Sequence, residues 1–208
     1  MNFGQTIALY NTPLFVPKSD EATAIEHGAT WNDTLGVWQI RMLSPFNTDR
    51  FEKWIPSHIS EYFYIATGEI FCWKCEEEIS VHSIMLPPKS LQWVHSEWNT
   101  SHYPTRITGF SCIPKPTRIA LEKEIPSFRM GYSKTSKKNA FMNYCTFCNV
   151  LQGDWFMHSS PGGIFFPMDH KQAERVLVRK IETCFVTNHC SGFPELNFWE
   201  SFDHEWLD

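Results

Sequence analysis

Hydrophobic positions along this chain come in short runs, and alternation is commoner than helical spacing. The pattern predicts a chain rich in short strands with a few short helices. Residues 6–16, ending in Leu14-Phe15-Val16-Pro17, predict a strand closed by proline. Ser19 or Asp20 then caps a short helix that runs to about His27 and stops at Gly28. Trp31 and Trp38 flank the turn-forming Asn32-Asp33-Thr34-Leu35-Gly36, which predicts a hairpin with a Trp on each strand. Asp49 opens a second short helix carrying Phe51, Trp54 and Ile55, ended by Pro56.

Beyond residue 62 the runs are more strand-like. Tyr62–Phe71 and Ile79–Leu86 predict a hairpin, and Arg106–Ile113 a further strand broken by Pro114 and Pro116. Residues 129–140 read as a polar basic loop, the best candidate for a mobile segment. Asn149–His158 predicts a short helix, and Glu174–Ile181 alternates as a strand. In the tail, Phe198, Trp199, Phe202 and Trp206 fall at helical spacings, which predicts an amphipathic terminal helix. The expected fold class is α+β. A small α+β unit spans residues 1–62, and a β-rich, zinc-ribbon-like domain with a long insertion spans 63–208.

Leu14-x-Val16-Pro17, Ala24, Gly28-Ala29-x-Trp31-Asn32, Trp38 and Phe51-x-Lys53-Trp54-Ile55-Pro56 carry a resemblance. Together they look like a small bacterial domain of unknown function found at the front of primase-like proteins on plasmids and other mobile elements. The resemblance covers residues 14–56 and implies a mobile-element context, with no settled activity. No primase or nuclease motif follows the unit here.

The strongest chemical signal is a pair of Cys-x-x-Cys turns, Cys72-Trp73-Lys74-Cys75 and Cys145-Thr146-Phe147-Cys148. Each turn lets two thiolates converge on one ion while backbone N–H groups stabilise their charge. Two such turns supply the four-sulfur tetrahedron that zinc favours, a closed site that stabilises without catalysing. The intervening 69 residues, 76–144, are far more than a compact zinc module uses. Three other readings compete: ordinary buried thiols, a redox dithiol, or one pair recruiting His82, His158, Cys184, His189 or Cys190.

Composition narrows the function classes. Hydrophobic residues at 42% support a packed core, and no apolar stretch approaches the ~20 residues of a membrane helix. With no secretory leader visible and an odd seven cysteines, the expected compartment is the cytosol with reduced thiols. The net charge of −5 argues against a protein that coats nucleic acid, although residues 129–180 carry eight basic against three acidic groups. No phosphate-binding glycine loop, His-Glu-x-x-His or Gly-x-Ser-x-Gly is present.

The function these features suggest is non-enzymatic protein binding, of the kind shown by an immunity or antitoxin-type inhibitor that occludes a basic bacterial toxin. Its expected partner surface combines Glu76, Glu77 and Glu78 with Trp199, Phe202, Asp203, Glu205 and Trp206. A second reading is a nucleic-acid-associated module in which Phe71, Trp73 and Phe147 stack bases while Arg129, Lys134, Lys137 and Lys138 meet phosphates. A remote third is a zinc deaminase built on His95-Ser96-Glu97 and the second Cys pair, although Tyr144 stands where that signature has Pro.

Overall fold

The computed structural model describes residues 10–44, 47–188 and 191–194. Its strands form four antiparallel sheets joined by short helices, a mixed α+β fold dominated by strands. Among the described residues, no helix is long and apolar enough to cross a membrane.

The first unit follows the hydrophobic pattern closely. Strands β1 (Tyr10–Leu14), β2 (Thr30–Asn32) and β3 (Val37–Met42) make a sheet in the order β1-β3-β2. Trp31 pairs with Trp38, and the two rings meet edge to face with centroids 5.6 Å apart. Helix α1 (Glu21–Glu26) ends at His27, and Gly28 takes the left-handed backbone, φ 94°, that glycine allows at low cost. Asp20 does not cap α1. Its carboxylate instead accepts from Lys53 Nζ at 2.7 Å and Trp54 Nε1 at 3.1 Å. It thereby ties α1 to the short helical turns of α2 (Thr48–Phe51) and Glu52–Trp54. Leu14, Ala24, Ile40, Phe51 and Trp54 fill the core of this unit, and Trp93 and Trp98 pack against it from outside.

The central scaffold is the long hairpin of β5 (Phe63–Phe71) and β6 (Glu78–Leu86). Both of its faces are covered where the first half of β5 (Phe63–Ala66) lies beside the second half of β6 (Ile84–Leu86), so the strands are apolar at nearly every position there rather than alternating. On one face Tyr64, Ala66, Val81 and Met85 pack with Met157, Phe165 and Val176. On the other, Phe63, Ile65, Ile84 and Leu86 pack with Phe110, Leu121, Phe141 and Phe185. Strand β9 (Thr105–Thr108) extends the sheet from β6, with β14 (Ser191–Pro194) beyond it. β12 (Leu177–Ile181) extends it from β5. A second sheet joins β4 (His58–Ser60), β7 (Leu91–Val94), β8 (Glu97–Thr100) and β13 (Phe185–Thr187).

Two expectations change here. Pro114 and Pro116 do not merely end a strand: they sit at the N-cap and in the first turn of helix α3 (Lys115–Glu124), where a missing N–H costs nothing. Residues 129–140 are not a loop. They are most of a hairpin, β10 (Phe128–Ser133) and β11 (Lys138–Asn143), in which Arg129, Lys138 and Asn139 are exposed while Ala140, Phe141, Met142 and Asn143 are buried. The expected helix at 149–158 forms only as α4 (Asp154–His158), and a short α5 (His170–Ala173) precedes β12. The expected terminal helix lies outside the described residues.

Candidate metal centre

The two Cys-x-x-Cys turns meet. Cys72, Cys75, Cys145 and Cys148 bring their four sulfur atoms within 4.8 Å of one another. Across the turns, Cys72 Sγ lies 3.6 Å from Cys148 Sγ, and Cys75 Sγ lies 3.6 Å from Cys145 Sγ. A disulfide would need about 2.05 Å. A tetrahedron with metal–sulfur bonds of about 2.3 Å has edges of about 3.8 Å. The thiols are free, and their spacing is that of a cage able to hold a metal ion.

The chain builds the same backbone twice from unlike sequences. In the first turn Cys72 N donates to Glu77 O (2.9 Å) and Glu76 N to Cys72 O (3.0 Å). In the second, Cys145 N donates to Val150 O (2.9 Å) and Asn149 N to Cys145 O (3.0 Å). Glu76 and Asn149 hold equivalent left-handed positions, φ 62° and 59°. Asn tolerates that region well and Glu does not, so the first turn carries more backbone strain. The first turn is the connection between β5 and β6, and the second follows β11, closed by a bridge between Tyr144 and Leu151. Trp73 joins them directly, its Nε1 donating to Leu151 O at 2.8 Å.

Polar hydrogens converge on the sulfurs. Lys74 N lies 3.5 Å from Cys72 Sγ, while Phe147 N and Cys148 N lie 3.4 and 3.3 Å from Cys145 Sγ. Gln152, buried, adds its Nε2 at 3.4 Å from Cys72 Sγ. Nothing in the sequence marked Gln152, because its sulfur partner is 80 residues away. Burial pushes the Cys72 thiol up, but the N–H groups of Cys75 and Lys74 outweigh it and bring it down to about 6. Cys145 is likewise lowered: burial opposes this, and the N–H groups of Cys148 and Phe147 prevail. Cys75 gains from the Glu77 N–H, yet burial and the neighbouring sulfurs carry it up to about 12, and burial raises Cys148. The N–H groups thus favour the thiolate at Cys72 and Cys145, while Cys75 and Cys148 are held toward the thiol. A divalent ion would draw off the remaining protons.

The other proposed ligands stand apart from this cluster. His82 is buried on β6 with Nδ1 3.0 Å from Thr67 Oγ1, and His158 is stacked on Phe165 at 4.9 Å. The Cys184 carbonyl accepts from Thr117 Oγ1, and His189 and Cys190 lie outside the described residues. His95 and Ser96 form the left-handed turn between β7 and β8, and neither His95 nor Glu97 joins the group of potential ligands.

A separate small cavity is lined by His82, Ser83, Asp154 and His158 and by Ile107, Phe128 and Phe141. At about 10 Å³ it has room for one water molecule and none for a substrate.

Of the expected partner surface, Glu76, Glu77 and Glu78 are exposed beside the first turn. Trp199, Phe202, Asp203, Glu205 and Trp206 lie outside the described residues. The turns themselves display large rings: Phe71 is 71% exposed, Trp73 67% and Phe147 65%. Comparison with known protein families, curated proteins and solved structures finds no match.

Proposed function

We propose that this chain is a protein-binding protein without catalytic chemistry of its own, whose second half is assembled around one structural zinc ion held by Cys72, Cys75, Cys145 and Cys148. Four thiolates suit a soft, tetrahedral ion, and a closed set leaves no position for a reacting water. Such an ion would tie the β5–β6 hairpin to the segment after β11, joining parts of the chain 70 residues apart or more.

The observation that carries the binding role is the exposure of Phe71, Trp73 and Phe147 on turns that the ion would hold rigid, next to three carboxylates. Large rings on a fixed frame lose little entropy on binding, and acidic neighbours steer a basic partner. The partner class this fits best is a basic protein, in the manner of a toxin that attacks nucleic acid or nucleotides and is occluded by its inhibitor.

A nucleic-acid role has less support. The Arg129 guanidinium stacks on Tyr144 at 4.2 Å and bonds Asn149, so its charge is engaged within the fold. Lys134, Lys137 and Lys138 sit at the far end of the β10–β11 hairpin from the second turn, roughly 17 Å along the strand.

The test is purification of the native complex from the organism that makes the chain. A basic protein in stoichiometric amount, released by high salt and lost with Trp73→Ala plus Phe147→Ala, is the expected result. Co-production with that partner should suppress its toxicity, and the double variant should not. A chain that purifies alone, or with nucleic acid, contradicts the proposal.

A further inference from the structure

Two adjoining cavities run between the first unit and the base of α3, with volumes of about 530 and 930 Å³. They share Phe15, Trp31, Gly36, Val37 and Cys112, so they form one elongated cleft. Its walls are fixed to each other. Lys115 N donates to Leu35 O at 2.8 Å, and a Cβ on Gly36 would stand 3.1 Å from Lys115 Cβ. The floor is held by Cys112, whose N–H donates to Asn188 Oδ1 at 3.2 Å and whose carbonyl accepts from Thr187 Oγ1 at 2.9 Å.

The cleft is bipolar. One cavity adds Trp38 and the carboxylates of Asp20 and Glu21 to the shared Phe15 and Trp31. Asp20 is neutralised by Lys53, whose Nζ also lies 4.6 Å from the Trp54 ring centre. Glu21 has no ion-pair partner among the described residues. Trp31 is half exposed but held in place, its Nε1 donating to Asp33 Oδ1 at 3.0 Å and its ring set against Trp38. Aromatic faces beside a free carboxylate suit a cationic side chain. The other cavity carries Lys115 and Arg118, neither ion-paired among the described residues, with Arg129 and the opposing Asp33 and Glu122. Phe15 and Val37 line both cavities, and Ile113, Phe128 and Phe141 give the second an apolar wall.

We infer that this cleft binds an extended segment of another polypeptide, one that places a basic side chain between Trp31, Trp38 and Glu21 and an acidic side chain on Lys115 and Arg118. A nucleic-acid strand would set its phosphates against Asp20, Glu21 and Asp33, whereas a bipolar peptide meets opposite charge at both ends. The joined cavities also exceed what one small solute fills. This proposal rests on the cleft and not on the cysteine turns.

The test uses the full chain in calorimetric titration with end-blocked octapeptides. Each carries one Arg and one Glu separated by two to five apolar residues, in both orders. At least one order and spacing should bind at micromolar concentration, and replacing its Arg or its Glu with Gln should weaken it more than tenfold. With Glu21→Gln the chain should stop distinguishing the Arg peptide from its Gln analogue. With Arg118→Gln it should stop distinguishing the Glu peptide from its analogue. Near-UV circular dichroism and thermal unfolding of the same samples show that the variants are folded. The proposal is overturned if no peptide binds, if the neutral analogues bind within twofold, or if oligothymidylate displaces the peptide. Binding that is lost with Trp73→Ala but not with Glu21→Gln or Arg118→Gln also overturns it, and would assign the peptide to the knuckle surface.

Discussion

Asn143 makes two hydrogen bonds to the backbone of His82. The His82 N–H donates to Asn143 Oδ1 at 2.7 Å, and Asn143 Nδ2 donates to the His82 carbonyl at 2.9 Å. β9 pairs with β6 only from Ile84 to Leu86, so at His82 the edge of β6 lacks a strand and one side-chain amide takes its place. Cys145 follows two residues later, so this join sets where the second cysteine turn emerges. Both Asn143 and His82 are buried. Asn143→Ala would strand a buried N–H and a buried carbonyl, a loss of about 2–4 kcal/mol. Asn143→Asp removes the donor and should be similarly damaging. Urea unfolding measures this, and a loss below about 0.5 kcal/mol for both variants contradicts the role given to Asn143.

Glu76 occupies the left-handed backbone that Asn149 occupies in the matching turn. A non-glycine residue there costs about 1–2 kcal/mol. Glu76→Gly should therefore raise the stability of the metal-loaded chain by about 1 kcal/mol, and Glu76→Asn by less, read from thermal unfolding. Destabilisation by Glu76→Gly would show that the carboxylate, not the backbone, sets the turn.

Gly68 faces Ile164 so closely that an added Cβ would lie 2.3 Å from Ile164 Cγ1. Gly68→Ala should cost about 1–3 kcal/mol through overpacking. In the Ile164→Ala background the same change should cost much less. Equal costs in the two backgrounds would exclude this contact as the cause.

Three buried histidines set the response to acid. Burial lowers His58 and His82 to about 4, with Arg179 adding to the effect on His82. Burial and then Arg106 lower His158 to about 3. Their unfolded value is 6.5, so below it the unfolded chain takes up protons that the folded chain refuses, and stability falls as the pH drops toward 4. Asp154 works the other way. Burial raises it from 3.8 to about 6, so the folded carboxyl keeps a proton that the unfolded one releases, and acid relieves its burial. Three groups against one give a net loss. The urea midpoint at fixed excess metal should fall between about pH 7 and pH 5, and His58→Gln with His82→Gln should flatten the fall. An unchanged midpoint would contradict this assignment.

What the sequence revealed was local. Trp31 and Trp38 announced their hairpin because the turn residues lie between them, and each cysteine pair announced its own turn. What it concealed depended on distant partners. Asn143 and Gln152 are ordinary amides until β6 and Cys72 arrive beside them, 61 and 80 residues away. Asp20 has the chemistry of a cap, but its carboxylate bonds Lys53 and Trp54 and makes no cap hydrogen bond to α1. Pro114 and Pro116 read as breakers because a proline pair marks an N-terminus only when a helix follows, and α3 shows little apolar face, with Thr117 and Leu121 alone fully buried. The β10–β11 hairpin read as a loop because its lysines and serines crowd the turn, hiding the strand residues Phe128 and Phe141 on either side.

The central claim is that four thiols from two distant turns hold one zinc ion. It is tested most directly by the metal content of the chain purified under reducing conditions, by native mass spectrometry with elemental analysis. The account predicts one zinc per chain, released together with the loss of folded structure on chelation, and absent from the Cys72→Ser plus Cys145→Ser variant. A folded, reduced chain without metal, or one that keeps its metal when both turns have lost a cysteine, would contradict it.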